Sequence, residues 1–329
     1  MVGKGNRGLK MRPRINRWTP ARRNLIFGNS IKSSLVQPHF VVSGENIDTQ
    51  ISGMPGINRQ SVDILIETIE KDMQIGLTSH MLFLVMDEKY RDRNASYASN
   101  METPLHVAVK QLKEKFGNEI VVMTDVCLCT GTDHGHCGIV IENEINNDLT
   151  LDELLRIGVS HAEAGADYVA TSDMMDGRVR AMRKKFEELG FHSTGILSYS
   201  VKYASSFYGP FREAAESSPK FGDRRSHQMD FRSGYSEAIM EAKIDQEEGA
   251  DIIMIKPGLP YLDVLRKISD EVTRPTAVYN VSGEYAMVMN SNNKKGERGK
   301  MIIEILQAFR RAGADVIVTY HAREFMQEE

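Results

Sequence analysis

Two lysines stand where short apolar runs end. Ile252-Ile-Met-Ile leads into Lys256, and Gly195-Ile-Leu-Ser-Tyr-Ser-Val leads into Lys202. An amine entered from such a run is partly desolvated, and burial together with a second ammonium disfavours protonation. The result is a nucleophile at neutral pH, able to form Schiff bases with ketones and aldehydes. One such lysine would be read first as an ion-pair partner, but two at corresponding strand ends favour chemistry. A second cluster holds all three cysteines of the chain: Cys127-Leu-Cys129, then Cys137 after His134-Gly-His136. Three thiolates can surround one soft cation and leave a fourth position open, as in catalytic zinc sites. The plainer reading is three small buried thiols, which their confinement to so short a window disfavours. His134 and His136 read as hydrogen-bonding residues that orient the loop rather than as ligands. The stretch from Lys202 to Tyr235 is too long for a simple turn. It reads as a lid, and Arg212, Arg224 and Arg225 in it offer forked cations suited to a carboxylate.

A scaffold must bring these groups together, and one junction recurs in the sequence. Glu163-Ala-Gly-Ala-Asp-Tyr-Val-Ala-Thr runs into Ser172-Asp173, Glu248-Gly-Ala-Asp-Ile-Ile-Met-Ile into Lys256, and Arg311-Ala-Gly-Ala-Asp-Val-Ile-Val-Thr into Tyr320. Each is a helix ending at a glycine that tolerates a left-handed cap, then a strand buried on both faces, then a polar exit. Apolar runs at 35–42, 80–86, 120–126, 195–201 and 276–281 bring the strands to eight. Helical patterns lie at 61–75, 103–116, 151–164, 177–190, 235–248, 260–272 and 300–312. Alternation of this kind indicates right-handed βαβ units and a parallel sheet. Eight of them make an α/β (β/α)8 TIM barrel with its active site at the C-terminal strand ends. A doubly wound open sheet is the alternative, weakened by the lack of a Gly-rich phosphate loop after the first strand. Those strand ends carry Asp125 and the cysteines, Ser172 and Asp173, Lys202, Lys256, Ser282 and Tyr320.

The 329 residues, 41% hydrophobic and 26% charged, have ordinary globular usage, which disfavours disorder or coiled coil. No apolar run approaches membrane-span length, and the N-terminus lacks a signal-peptide core. With so few cysteines, the chain reads as soluble and cytoplasmic. The net charge of −4 is uneven: residues 1–23 hold eight Lys/Arg and no Asp/Glu, leaving −12 on the rest. A basic N-terminal arm (1–34) therefore precedes the barrel domain (35–329). It could serve nucleic acid, an anionic membrane or mitochondrial import. Its apolar anchors Ile15, Trp18 and Leu25 favour docking on a neighbouring subunit.

The motifs DVCLC…HGHCG (125–138), SDMMDGRV (172–179), SYSVKYASSFYGPFREAA (198–215), GDRR…Q (222–228), MIKPGLPYLD (254–263) and VYNVSGEYAM (278–287) resemble the porphobilinogen synthase (5-aminolevulinate dehydratase) family. The resemblance runs from about Arg12 to Tyr320. It implies a lyase that condenses two 5-aminolevulinate molecules to porphobilinogen, with loss of two waters, in tetrapyrrole (haem) biosynthesis. By resemblance, Lys256 and Lys202 are the Schiff-base lysines, Lys256 holding the molecule that binds first. Ser282 and Tyr320 match the residues holding that molecule's carboxylate. Arg212, Arg224 and Gln228 match the grip on the second carboxylate, beside Phe211 of the lid. Asp125 and Ser172 match pocket groups for the substrate amines, and Cys127, Cys129 and Cys137 match zinc ligands. The family further implies a homo-octamer whose arms embrace neighbouring barrels, with no nucleic-acid or membrane partner. Many members hold an allosteric Mg²⁺; Glu241 matches its glutamate, and Arg17 the arginine that replaces the ion elsewhere.

The chain departs from the family pattern at Thr130-Gly131-Thr132-Asp133, at Thr171 and at His227. Asp133 is expected to tune the metal or admit a second cation. Two other readings compete: an aldolase using one lysine, which needs neither zinc nor a second amine, and a nucleic-acid-binding or regulatory protein acting through the arm.

Overall fold

The computed structural model describes residues 9–291 and 295–328; residues 1–8 of the basic arm lie outside the described residues. Eight parallel strands follow one another around a closed ring: β1 (Leu35–Val41), β2 (Ser79–Leu84), β3 (Val121–Val126), β4 (Tyr168–Thr171), β5 (Gly195–Lys202), β6 (Ile252–Lys256), β7 (Thr276–Asn280) and β8 (Val316–Thr319). The ring closes where Leu35 and Val36 of β1 pair with Ile317 and Val318 of β8. Helices Val62–Gln74, Pro104–Phe116, Asn147–Ala164, Arg178–Leu189, Tyr235–Glu248, Leu262–Glu271 and Lys295–Ala312 follow strands β1 to β7. The fold is a TIM barrel, and the open-sheet alternative falls with the closure. The expected elements match within a few residues. Four of the described helices were not expected, Pro20–Phe27, Gly209–Ala214, Ser282–Ser291 and Ala322–Gln327; three are too short for an apolar stripe to stand out, and Ser282–Ser291 carries no one-sided stripe at helical period.

Period-two alternation splits each strand between two cores. Val36, Phe40, Met81, Phe83, Val121, Met123, Leu197, Tyr199, Ile252, Met254, Val316 and Val318 fill the barrel interior. Leu35, Val41, Leu82, Leu84, Val122, Ile196, Ile253, Ile255 and Ile317 meet the helices. Gly165, Gly249 and Gly313 take the expected left-handed caps, with φ of +105°, +110° and +109°. The aspartate two residues after each glycine has its own task. Asp167, Asp251 and Asp315 accept hydrogen bonds from the backbone N–H of Val122, Ile196 and Thr276 at 2.8, 2.8 and 2.9 Å. Each carboxylate thus ties the start of one strand to its predecessor, which explains why the junction repeats as Gly-Ala-Asp.

The described part of the arm packs on its own barrel. Ile15 and Leu25 are buried and join the interior core, whereas Trp18 remains exposed. Asn16 donates to the carbonyl of Asp251 at 2.9 Å and accepts from the Tyr168 hydroxyl at 2.9 Å. Arg22, buried over the Tyr168 ring, pairs with Asp167 at 2.7 Å. Two of the three anchors are therefore used within the chain. Replacing Arg22 with Met should cost about 3 kcal/mol of stability, because it leaves a buried carboxylate short of its partner. The loss falls at the low end of the range for such pairs because Lys113 also reaches Asp167, at 2.9 Å. A denaturant midpoint unchanged by the substitution would refute this account.

Candidate active site

The two lysines meet because β5 is irregular. Leu197 and Ser198 pair with Ile252 and Ile253, but Val201 and Lys202 pair with Ile255 and Lys256, so β5 has one extra residue. Strict alternation from Tyr199 would turn Lys202 outward onto the helices. The bulge turns Val201 outward instead and swings Lys202 into the mouth, directly beside Lys256.

Lys256 is buried with its ammonium over four rings: Tyr279 at 4.1 Å, Phe211 at 5.0 Å, and Tyr199 and Tyr208 both at 5.2 Å. Burial first, and Lys202 second, push its pKa down to about 7. Lys202, also buried, donates to the backbone carbonyl of Ser172. Asp125 continues the inward face of β3; burial raises its carboxyl, partly opposed by the Ser172 hydroxyl and Lys202. Burial also raises neighbouring Asp173 to about 6 against the pull of Arg178. Tyr320 lies in the same interior core, its hydroxyl 3.0 Å from that of Tyr279.

Cys127, Cys129 and Cys137 are buried, with their sulfurs all within 4.8 Å of one another. Cys127 and Cys129 lie 3.3 Å apart. Hydrogen bonds from these two thiols, and then Arg224, favour the thiolate at Cys137, while bonding to Cys129 first and Cys137 second holds Cys127 protonated. Three soft donors at this spacing fit one ion with Zn–S bonds of ~2.3 Å. His134 and His136 make loop hydrogen bonds as expected: His134 Nε2 lies 3.3 Å from the carbonyl of Arg93, and His136 Nε2 lies 2.8 Å from that of Phe221. Asp133 is exposed and is not one of the three clustered ligands. A second metal-capable group, His39, Asp72 and His80, lies behind the barrel wall, where the imidazoles contact each other at 3.1 Å and Arg323 occupies Asp72.

The lid lies across this mouth. Arg59 donates to the carbonyls of Ala214 and Glu213 at 2.9 and 2.6 Å, and Arg91 pairs with Glu216 at 2.9 Å. The lid also meets the cysteine loop, where Gly135 has φ of +74° and any Cβ would strike the Ser218 carbonyl at 2.3 Å. Glycine alone permits that approach. Within the lid a cavity of ≈ 450 Å³ is lined by Phe207, Arg212, Asp223, Arg224, Gln228 and Tyr261, with Asp223 paired to Arg225. Arg224 and Gln228 are buried, yet the Nε atoms of Arg212 and Arg224 and both amide atoms of Gln228 lack hydrogen-bond partners. Buried polar groups left unpaired are costly, and two guanidiniums near each other call for an anion. Arg212's pKa is lowered by burial and then by Arg224.

Ser282 follows the end of β7 and meets the lid. Its hydroxyl accepts from the N–H of Phe211 at 2.9 Å and so ties the lid to the end of β7. Glu241 stands apart from the lysines, on a cavity of ≈ 350 Å³ with Asp176, Glu237 and Gln228. Burial, then Asp245, raises it to about 7. The sequence reading missed Tyr199 and Tyr279, which cage Lys256, and the lid clasps Arg59 and Arg91. The tyrosines carried a signal, inward parity on strands ending in polar groups; the arginines carried none.

The family model for delta-aminolevulinic acid dehydratase matches residues 10–328. The chain is 49% identical over 297 residues to the delta-aminolevulinic acid dehydratase of Methanothermus sociabilis, covering 90% of this chain and 91% of that one. It is 46% identical to that of Methanothermobacter thermautotrophicus, covering 96% of each. It also superposes on the crystal structure of delta-aminolevulinic acid dehydratase (porphobilinogen synthase) from Toxoplasma gondii in complex with the reaction product porphobilinogen. That match has a TM-score of 0.87 and 42% identity, and covers 97% of this chain and 91% of the other.

Proposed function

The chain belongs to the delta-aminolevulinic acid dehydratase family, and from that membership we propose that it joins two 5-aminolevulinate molecules into porphobilinogen by amine catalysis at Lys256 and Lys202. The observation that carries this reading is the Lys256 amine, enclosed by four rings and held near pKa 7 beside a second lysine. Only the neutral amine attacks a ketone; a C–N bond forms, the carbinolamine loses water, and an iminium remains on the strand end. Lys202 does the same for the second molecule. Ser282 and Tyr320 hold the first carboxylate, and Arg212, Arg224 and Gln228 take the second through the Nε atoms of the arginines and the Gln228 amide, with Phe211 closing over both. Asp125 and Ser172 orient the substrate amines. Holding both molecules in one pocket makes the condensation effectively unimolecular, worth roughly 7 kcal/mol or more.

Cys127, Cys129 and Cys137 would hold a zinc ion, which when bound supplies Lewis acidity at the second substrate. Glu241 and its acidic cavity would hold Mg²⁺ as an allosteric ion. The exposed Trp18 of the arm would contact a second subunit within a homo-octamer. The product feeds tetrapyrrole and haem synthesis. No described helix is long and apolar enough to cross a membrane, and a cytoplasmic enzyme is our reading. A one-lysine aldolase would leave the second lysine and the three thiols without a task.

The test is porphobilinogen formation from 5-aminolevulinate by the purified, thiol-reduced protein supplied with zinc and magnesium. Product formation is expected. Its absence under every metal condition would overturn the reading.

A further inference from the structure

One buried carboxylate in the barrel mouth has no part in the chemistry above. Glu284 lies in the first turn of the helix Ser282–Ser291 and is wholly buried. Among the described residues it faces no guanidinium or ammonium within ion-pair distance, and the partners that reach it are neutral. One oxygen accepts from the backbone N–H groups of Gly258 and Leu259, at 3.0 and 2.8 Å. The other accepts from the Asn280 amide at 2.7 Å and from the N–H of Val281 at 2.9 Å. The chain of contacts continues, since Asn280 Oδ1 accepts from the Thr319 hydroxyl at 2.9 Å.

These contacts join three places that matter. Gly258 and Leu259 begin the loop two residues after Lys256 on β6. Asn280 ends β7, and Val281 follows it just before Ser282. Thr319 ends β8, just before Tyr320. A carboxylate is the side chain able to accept four hydrogen bonds at one point, and it can therefore gather N–H groups from two strand ends. Burial raises Glu284 to about 7, and the four donors oppose that rise. Keeping an acid in so dry a place is costly unless its bonds are all made.

We propose that Glu284 is a positioning residue for the first-substrate subsite: through Gly258, Leu259, Asn280 and Thr319 it holds Lys256, Ser282 and Tyr320 in register with one another. The inference rests on the proposed assignment of Lys256 as the first amine. Glu284 touches no substrate and acts through the strand ends. Its loss lets the Lys256 loop drift relative to β7 and β8, and a misplacement of ~1 Å costs about 100-fold in a positioned reaction.

The experiment is single-turnover borohydride trapping with 5-aminolevulinate, reading the adduct on the Lys256 peptide by mass spectrometry in wild type, Glu284→Gln and Thr319→Val. Glu284→Gln keeps the shape but turns an NH₂ toward N–H donors. The trapping rate constant at Lys256 is expected to fall by about 10- to 100-fold in Glu284→Gln, and by a smaller factor in the same direction in Thr319→Val. The zinc content of the three-cysteine site is expected to stay unchanged. If Glu284→Gln does not fold, Thr319→Val, which removes one buried hydroxyl a step further from the carboxylate, decides the matter alone. A rate constant equal to wild type in the folded variant overturns the proposal. So does a fall in trapping amplitude and zinc content together at an unchanged rate constant, because that is a loss of folded protein only. Absence of any Lys256 adduct in wild type would instead sink the assignment of the amine, a failure distinct from that of Glu284.

Discussion

Lys256→Ala is expected to abolish porphobilinogen formation, lowering turnover by on the order of 10⁴-fold or more, about 5 kcal/mol of transition-state stabilisation. The same substitution should remove the borohydride-trapped adduct from that peptide. The size of the effect follows from the environment. A lysine of ordinary pKa, ~10.4, has only about one amine in 2,500 neutral at pH 7, whereas an amine at about 7 is half neutral. The gain is roughly 10³-fold in reactive amine before any positioning is counted. The sign with pH is fixed by the same fact. Protonation below pH 7 removes the nucleophile, so trapping at saturating borohydride should rise from pH 6 to pH 8, with a midpoint near 7. A midpoint near 10 would mean that the aromatic cage does not desolvate the amine. Normal turnover in Lys256→Ala would remove this lysine from the mechanism.

Removing metal is expected to have the second largest effect. Treatment with a chelator should suppress activity at least about 100-fold, since losing even an outer-sphere partner of a metal commonly costs 10- to 100-fold. Added zinc should restore it. Cys137→Ser should bring bound zinc at this site close to zero, because two remaining thiols cannot complete a three-thiolate set. The three sulfurs already lie within 4.8 Å of one another, so loading requires loss of thiol protons rather than rearrangement of the loop. Loading should therefore weaken as pH falls, and equilibrium dialysis against zinc at several pH values would measure it. Activity indifferent to chelation, with zinc absent throughout, would retire the zinc claim and leave the lysine chemistry standing.

Much of this protein was legible along the chain because its information is local. Three glycine caps, each followed by a doubly buried apolar run, and five further apolar runs separated by helical patterns were enough to give the barrel, and strand ends are where a barrel presents reactive groups. Lys256 follows an unbroken strand, and the three cysteines sit in one short loop, so both were visible as types at a spacing. Ile15 and Leu25 were visible as anchors, but not which surface they anchor to, because the bonds that fix the arm there, those of Asn16 with Tyr168 and Asp251, span 152 and 235 residues of chain.

What the tertiary structure decided is direction. Alternation counted from Tyr199 points Lys202 at the helices; only the pairing of β5 with β6 reveals the extra residue that turns it toward Lys256. A bulge is defined by the partner strand, and one strand's sequence does not contain its partner. The same holds for Glu284 and for the clasp of Arg59 and Arg91 on the lid. Each looks like an ordinary surface charge in sequence, and each acquires its task from groups distant in the chain, Gly258 and Leu259 for Glu284 and the lid for the arginines.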